Sequence, residues 1–253
     1  MNKECLLYSS GIDSYIARRF LISHGHDIDC LYFNHGGRYC KHEIEKIKSL
    51  CFPVIISDNL RLGDLEQANA HIPNRNLLMI TMAQSLGYDR IWLGGSLSDR
   101  VGDNKSEVCV ELSKILSSVN DIRCVVDSPF YGCYKDDMVR WFATSYKHNI
   151  PQLAENTFSC FNPLSEPREY VMLSDDHTKS TYHSTECMSC SACFRKCAVV
   201  YSANIFLNFN NGVISDIMNG YKDQFMKILI ATPRSEGTLR YIDKWMEINN
   251  GTL

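Results

Sequence analysis

Residues 5–15, Cys-Leu-Leu-Tyr-Ser-Ser-Gly-Ile-Asp-Ser-Tyr (CLLYSSGIDSY), decide the fold. A short apolar run, Cys5-Leu6-Leu7-Tyr8, stops at Ser9-Ser10-Gly11. From Tyr15 to Ile22 the apolar residues recur at helical spacing. The order is buried strand, small-residue turn, helix N-terminus. Gly and short hydroxyl residues let a backbone approach a ligand closely. The first-turn N–H groups and the helix dipole favour an anion there. Ser9, Ser10 and Ser14 can add hydroxyl donors. No Lys follows Gly11, so this is not the G-x-x-x-x-G-K-[ST] loop of kinases and GTPases. By themselves these residues also suit a strand-turn-helix that holds no ligand.

Working outward, Asp29 to Asn34 reads as a second buried strand, followed by the loop His35-Gly36-Gly37-Arg38. Lys41 to Leu50 is an amphipathic helix and Phe52 to Ser57 a third strand. Alternation of strand and helix predicts an α/β fold with a doubly wound parallel five-stranded sheet and sites at the carboxyl ends of its strands. Asp58 to His71 is polar and irregular and reads as a flexible cover. Ile72-Pro73-Asn74-Arg75-Asn76 opens a helix to about Leu86, with Pro near the entry where no donor is needed. Arg75 near a positive helix end is electrostatically awkward unless an anion lies nearby; the plain alternative is a solvated surface Arg. Arg90 to Leu93 is the fourth strand, ending in Gly94-Gly95-Ser96; Asp99, Arg100, Gly102 and Asp103 follow, then a helix from Ser106 to Ser118. Cys124 to Val126 is the fifth strand, and Lys135 and Asp137 open a helix ending near His148. Residues 161–186, with Pro163 and Pro167, read as an irregular excursion. From Ala198 the chain reads as mostly helical, with apolar stripes over Ser215 to Ile230 and Glu236 to Ile248. These divisions predict an α/β domain over 1–155 and a metal-binding, helical region over 156–253.

The chain has 253 residues and a formal net charge of -3, which argues against a stable nucleic acid complex of the kind a basic face would support. No stretch approaches the roughly 20 apolar residues of a membrane span, and Met1 to Glu4 leads straight into a strand. The expected location is cytoplasmic. His24, His26 and His35 read as surface or loop histidines.

Twelve cysteines do not form a disulfide-like pattern: Cys5, Cys30, Cys51 and Cys124 sit in apolar runs, whereas Cys187, Cys190, Cys193 and Cys197 crowd together. Cys-x-x-Cys turns converge two thiolates on one ion, and zinc takes four such ligands in a tetrahedron. The spacing also fits the bacterial ferredoxin run, although Ala198 stands where that run has Pro. Local spacing makes Cys197 the fourth ligand.

The loop over Ser9 to Ser14 resembles the SGGxDS signature of the N-type ATP pyrophosphatases, with Ser10 in place of the first Gly. More of the chain, Cys5 to Cys193, resembles the 7-cyano-7-deazaguanine synthase (QueC) family. Phe33-Asn34-His35-Gly36-Gly37-Arg38 is similar to its FDYGQRH, and Pro73-Asn74-Arg75-Asn76 to its PGRN. Gly94, Asp99 and Gly102 match a Gly, an acidic residue and a Gly, and Pro129 with Lys135 matches its P…K. Thr157-Phe158-Ser159-Cys160 with Cys187, Cys190 and Cys193 looks like its zinc set, which makes Cys160 the fourth ligand and Cys197 the alternative. Departures are Asp103-Asn104-Lys105-Ser106-Glu107, a longer stretch between Cys160 and Cys187, and a longer helical tail.

The resemblance implies an ATP-dependent C–N ligase of queuosine biosynthesis that uses ATP, Mg2+ and Zn2+ and acts on a small deazapurine substrate and ammonia. It implies that Tyr8, Ser9, Ser10, Gly11, Ile12, Asp13, Ser14 and Gly94 hold the nucleotide, with adenine near Tyr32 and Phe33. It further implies that Asp13, Arg75, Asp99 and Lys135 serve the chemistry, and that Cys160, Cys187, Cys190 and Cys193 hold a structural zinc. Two rival readings are a tRNA-sulfurating relative with an iron–sulfur cluster and a non-catalytic nucleotide-binding module. Apolar stripes in the tail suit a homodimer.

Overall fold

The computed structural model describes residues 3–68, 70–97, 99, 102–174, 179–208 and 235–250. The chain divides into two units, Met1–Lys135 and Asp136–Leu253, a boundary that falls before the 155/156 division read from the sequence.

The first unit holds a parallel sheet of β1 (Glu4–Leu7), β2 (Ile28–Phe33), β3 (Ile55–Ser57), β4 (Arg90–Trp92) and β5 (Val125–Asp127) in the order β3-β2-β1-β4-β5. Helices α1 (Ile12–Ser23), α2 (Cys40–Lys48), α3 (Arg75–Ser85) and α4 (Ser106–Asn120) connect the strands. Strand order reverses between β1 and β4, and the loops at their carboxyl ends flank that switch point, where open α/β sheets place ligands. The core gathers Cys5, Leu31, Phe33, Ile80, Ile91, Leu93, Cys109 and Val126 with their neighbours. Strands buried on both faces explain why β1 and β2 read as unbroken apolar runs.

Helix α1 keeps Ile12, Tyr15, Ile16, Ala17 and Leu21 buried, which matches the spacing read from the sequence. It closes on Gly25 at φ +83°, with the Gly25 amide bonded to Ile22 O and the His26 amide to Leu21 O. That pair of bonds satisfies the last carbonyls and needs a left-handed residue, which Gly supplies without a Cβ penalty.

Residues 58–71, read as a flexible cover, are anchored. Leu60, Leu62 and Ile72 enter the core, and a 3-10 turn, Gly63–Leu65, follows the Leu62 amide, which donates to His35 O at 2.8 Å. Gly63 lies against Gly36, itself at φ +76°, so closely that a Cβ on Gly63 would sit 2.2 Å from Gly36 O. Alternating polar residues concealed two apolar anchors, Leu60 and Leu62, from a composition-based reading.

The second unit begins with α5 (Lys135–Ser145), whose first residue ends the first unit, followed by α6 (Ile150–Glu155). The stretch 161–186, read as irregular, contains an antiparallel pair, β6 (Arg168–Ser174) and β7 (Lys179–Ser184), in register from Arg168↔Ser184 to Leu173↔Lys179. Alternation is present there: Met172, Tyr182 and Ser184 are buried while Val171 is exposed. The two prolines precede the hairpin and do not interrupt it. After α7 (Ser191–Val200), the region read as mostly helical supplies β8 (Ile205–Leu207) to the other edge of β6. A short run of Ile, Phe and Leu is too brief to show a helical period. The last described helix, α8 (Ser235–Asn250), coincides with the stripe read over Glu236 to Ile248. The stripe read over Ser215 to Ile230 lies outside the described residues.

Gly63→Ala places its Cβ against a carbonyl that cannot swing aside, so the β2 and β3 loops must separate. The expected cost is about 1–3 kcal/mol, the range for overpacking, measured as a lowered urea midpoint with an unchanged slope. A midpoint equal to that of the wild type would mean that the two loops are not locked together.

Candidate functional site

At the switch point, the β1 loop is built from short side chains that bond one another. Ser14 Oγ accepts from the Ser9 amide at 3.2 Å, lies 3.4 Å from Ser9 Oγ and donates to Gly11 O at 3.0 Å. No side chain caps α1, so its first-turn amides keep their donor capacity for another partner. Ser10 has φ +56°, a left-handed conformation that accounts for Gly at the corresponding place in the SGGxDS signature. Its side chain is fully buried and its hydroxyl has no hydrogen-bond partner. A buried hydroxyl without a partner is costly, and an anion seated on the loop would satisfy it.

Gly94, at the end of β4, backs this loop. A Cβ there would lie 3.1 Å from Asp13 Cβ and from the Ser14 amide nitrogen. Absence of a side chain therefore sets how closely the start of α1 approaches β4.

Lys135 completes the first-unit cluster: its Nζ bonds Asp13 Oδ2 and lies 3.6 Å from Asp99 Oδ1. Asp99 Oδ2 is held by the Ser96 amide at 2.8 Å and by Asn104 Nδ2 at 2.9 Å. Burial raises the Asp99 pKa, Lys135 opposes that rise, and Asp13 adds to it. Two carboxylates around one ammonium leave a net negative pocket. That donor set suits a hard divalent cation shared with phosphate oxygens.

Arg75 lies with a different group. Its Nη1 donates to Tyr39 Oη at 2.8 Å, and among the described residues no bond joins it to Asp13 or Asp99. The anion that its helix end required is Asp103, which accepts from the Asn76 amide at 3.0 Å and from Asn76 Nδ2 at 3.1 Å. Asp103 and Asn104, in the stretch that departs from the family pattern, thus hold Asn76 and Asp99 in place. Arg100 lies outside the described residues. Tyr32 and Phe33 are both buried, Tyr32 Oη donating to Glu43 at 2.8 Å and Phe33 packing in the core. Only their backbone remains as a reading surface.

His35, read as a loop or surface histidine, is 2% exposed and packs with Cys40 and Glu43. The Gly37 amide donates to its Nδ1 at 3.2 Å, which leaves the proton on Nε2, 3.5 Å from Cys40 Sγ. Burial, then the Arg75 charge, lowers the His35 pKa to about 4, so the ring is neutral near pH 7. A Cβ on Gly37 would fall 2.6 Å from His35 Cε1, so this turn tolerates only Gly. With Nδ1 accepting from Gly37 and the carboxylate accepting from Tyr32, the trio is a satisfied hydrogen-bond network rather than a vacant ligand set.

In the second unit, the sulfurs of Cys160, Cys187, Cys190 and Cys193 converge. Sγ separations are 4.0 Å for Cys160–Cys190, 3.9 Å for Cys187–Cys193 and 3.6 Å for Cys190–Cys193. A tetrahedron with bonds of about 2.3 Å places its sulfurs about 3.8 Å apart, so the set fits zinc. The Cys187 amide donates to Cys160 Sγ at 3.3 Å, the Phe161 amide to Cys190 Sγ at 3.4 Å and the Ser189 amide to Cys187 Sγ at 3.4 Å. Each such bond favours the thiolate. Hydrogen bonding from Cys160 draws the Cys187 pKa down. Cys197, the choice from local spacing, is fully buried outside this set, with burial raising its pKa to about 12. The cluster takes its fourth sulfur from a residue distant in sequence.

Two residues that the sequence reading passed over sit beneath the cysteines. Glu186 and Lys196 form an ion pair at 2.6 Å with both side chains fully buried. Nothing in the sequence distinguishes them from solvated charges, except that each lies within three residues of a cluster cysteine.

Glu43 offers a pH test. Burial raises its pKa to about 7, against the opposing effects of the Tyr32 hydrogen bond and the Arg75 charge. A carboxyl with a raised folded pKa binds its proton more tightly in the folded state. Its stabilising contribution is present below the unfolded value of about 4.3 and is lost as pH rises through about 7. Glu43→Gln should therefore gain stability relative to wild type between pH 5 and pH 8, read from urea midpoints at both. A pH-independent difference would place Glu43 in a wetter setting.

Comparison with known proteins supplies the family. The family model described as "Queuosine biosynthesis protein QueC" matches residues 54–202, a span that includes Arg75, Asp99, Lys135 and the four cysteines. The chain is 25% identical over 218 residues to 7-cyano-7-deazaguanine synthase 1 of Sulfurisphaera tokodaii, covering 80% of this chain and 95% of that protein. It is 21% identical over 224 residues to 7-cyano-7-deazaguanine synthase of Methanocaldococcus jannaschii, covering 74% and 91%. It is 23% identical over 186 residues to 7-cyano-7-deazaguanine synthase 1 of Desulfitobacterium hafniense, covering 63% and 82%. With a sulfur tetrahedron and a small-residue loop at the switch point of its sheet, the chain belongs to the QueC family of queuosine biosynthesis proteins.

Proposed function

We propose that this protein converts 7-carboxy-7-deazaguanine and ammonia into 7-cyano-7-deazaguanine, cleaving ATP to AMP and pyrophosphate. The substrate carboxylate attacks the α-phosphorus, pyrophosphate leaves, and an acyl adenylate forms. Ammonia displaces AMP to give the amide. Adenylation of the amide oxygen by a second ATP, followed by loss of AMP, gives the nitrile.

The observation that carries this reading is the partnerless, fully buried Ser10 hydroxyl beside the uncapped start of α1, the helix whose first turn supplies Asp13 to the Asp13–Lys135–Asp99 cluster. Phosphoryl and adenylyl transfer need charge neutralisation and positioning more than a protein nucleophile. In this reading Ser9, Ser10, Gly11 and Ser14 bind the departing pyrophosphate, with Tyr8 and Ile12 shaping the loop. Lys135 offsets phosphate charge, and Asp13 and Asp99 would hold Mg2+. Gly94 lets the nucleotide-holding loop close against β4, and backbone at Tyr32 and Phe33 reads adenine. Arg75, held by Tyr39, faces the substrate carboxylate. Zinc held by Cys160, Cys187, Cys190 and Cys193 supplies folding free energy, since four thiolates leave no open position for a substrate. A deazapurine and ammonia are the small-molecule partners; a homodimer completes the proposal. No described helix is long and apolar enough to cross a membrane.

The test is ATP-dependent pyrophosphate release with 7-carboxy-7-deazaguanine and ammonium. Wild type should release it and form the nitrile; release with neither acceptor dependence nor nitrile would sink the reading. Lys135→Ala should lower kcat by about 10²–10³-fold, as for loss of a transition-state charge donor, with unchanged circular dichroism. Ser10→Ala should raise the KM for ATP about 5–10-fold, the equivalent of one lost hydrogen bond. Its stability should equal or exceed wild type, because a partnerless buried hydroxyl has gone. A destabilised Ser10→Ala with normal KM would assign Ser10 to the fold instead.

A further inference from the structure

Lys196 occupies α7 three residues after Cys193, and Glu186 immediately precedes Cys187. Lys196 Nζ donates to Glu186 Oε2 at 2.6 Å, to Thr157 O at 2.7 Å and to Ala154 O at 3.0 Å. All three donors of the ammonium are used. Glu186 Oε1 accepts from the Ser159 amide at 2.6 Å, and its Oε2 also accepts from Ser184 Oγ at 3.3 Å. The Glu186 backbone is fixed as well: its amide donates to Ser184 Oγ at 3.2 Å and its carbonyl accepts from Tyr170 Oη at 2.5 Å.

An ion pair with no solvent access is not a general source of stability, because desolvating two charges offsets their attraction. What sets this pair apart is where its bonds lead. They join the segment carrying Cys160, the residue next to Cys187, and the helix carrying Cys193. Cys190 stands at the start of that same helix. One buried charge pair therefore connects every segment that contributes a sulfur, and none of its bonds involves a sulfur.

We propose that Glu186 and Lys196 are positioning residues that fix the separation of the Cys160 loop from the Cys187–Cys193 segment and so preorganise the four-thiolate site before an ion arrives. The inference rests on reading the four cysteines as a metal site. Four thiolates repel one another when no cation is present, and a clamp made of non-sulfur bonds holds the segments together against that repulsion. Such a clamp acts on affinity through spacing, as outer-shell partners of metal ligands do.

Removing one partner leaves a buried unpaired charge, so the informative variant removes both: Glu186→Gln with Lys196→Met in the full chain. The Gln amide oxygen can still accept from Ser159, while the ammonium's three bonds are lost. Zinc affinity, measured by competition with a chromophoric chelator, should fall about 10–100-fold. The cobalt-substituted variant should show weakened d–d bands, the signature of a distorted tetrahedron. A folded double variant with wild-type affinity and spectrum overturns the clamp while leaving the metal reading intact. A wild-type chain that takes up no zinc overturns the metal reading and this inference together. A measurement on metal-free wild type serves if the double variant does not fold: the Ser159 amide should remain protected from hydrogen exchange. Exchange at the rate of an unstructured peptide would mean that the ion, not the pair, assembles the site.

Discussion

The close approach of β4 to the start of α1 is the constraint on which the candidate site depends. Gly94 has no side chain, and any Cβ there would press on Asp13 and Ser14. With that gap closed, Asp13 in the first turn of α1 and Asp99 beyond β4 can both face the Lys135 ammonium. Strand order makes the approach possible, because β1 and β4 are neighbours whose loops leave the same end of the sheet. A parallel sheet thus brings together residues from three separate parts of the first unit, and a single missing methyl group sets their distance.

Around this site, held and free polar groups are divided with some consistency. Asp99, Asp103 and Glu43 each have a defined donor, and His35 is locked in one tautomer by the Gly37 amide. Ser10 Oγ differs: it is fully enclosed and bonds nothing. Satisfied groups shape the walls, while the buried hydroxyls of Tyr8 and Ser10 are left without a partner. The segment 103–107 does structural duty here through Asp103 and Asn104.

The second unit solves another problem. Its sheet of β6, β7 and β8 is small, and its cysteines come from two places in the chain. Hydrogen bonds from backbone amides to sulfur orient the thiolates, and the Glu186–Lys196 pair ties their segments to one another. The two arrangements are complementary: the sulfurs converge where a metal would link them, and the ion pair links the backbone that carries them.

The sequence by itself determined the five parallel strands, the β1 loop and the identity of the cysteine-rich turn, because these are local matters of apolar runs, helical period and Cys-x-x-Cys spacing. It misread what depends on partners far along the chain. The β6–β7 hairpin was hidden by the two prolines that precede it, and the anchoring of residues 58–71 by apolar side chains set singly among polar ones. Burial of His35 and of Lys196 could not be foreseen, since a titratable residue reads the same in sequence whether water or a carboxylate solvates it. For the fourth sulfur, local spacing favoured Cys197 and the family resemblance Cys160; in the structure a helix turns Cys197 into the core while the chain returns Cys160 to the cluster.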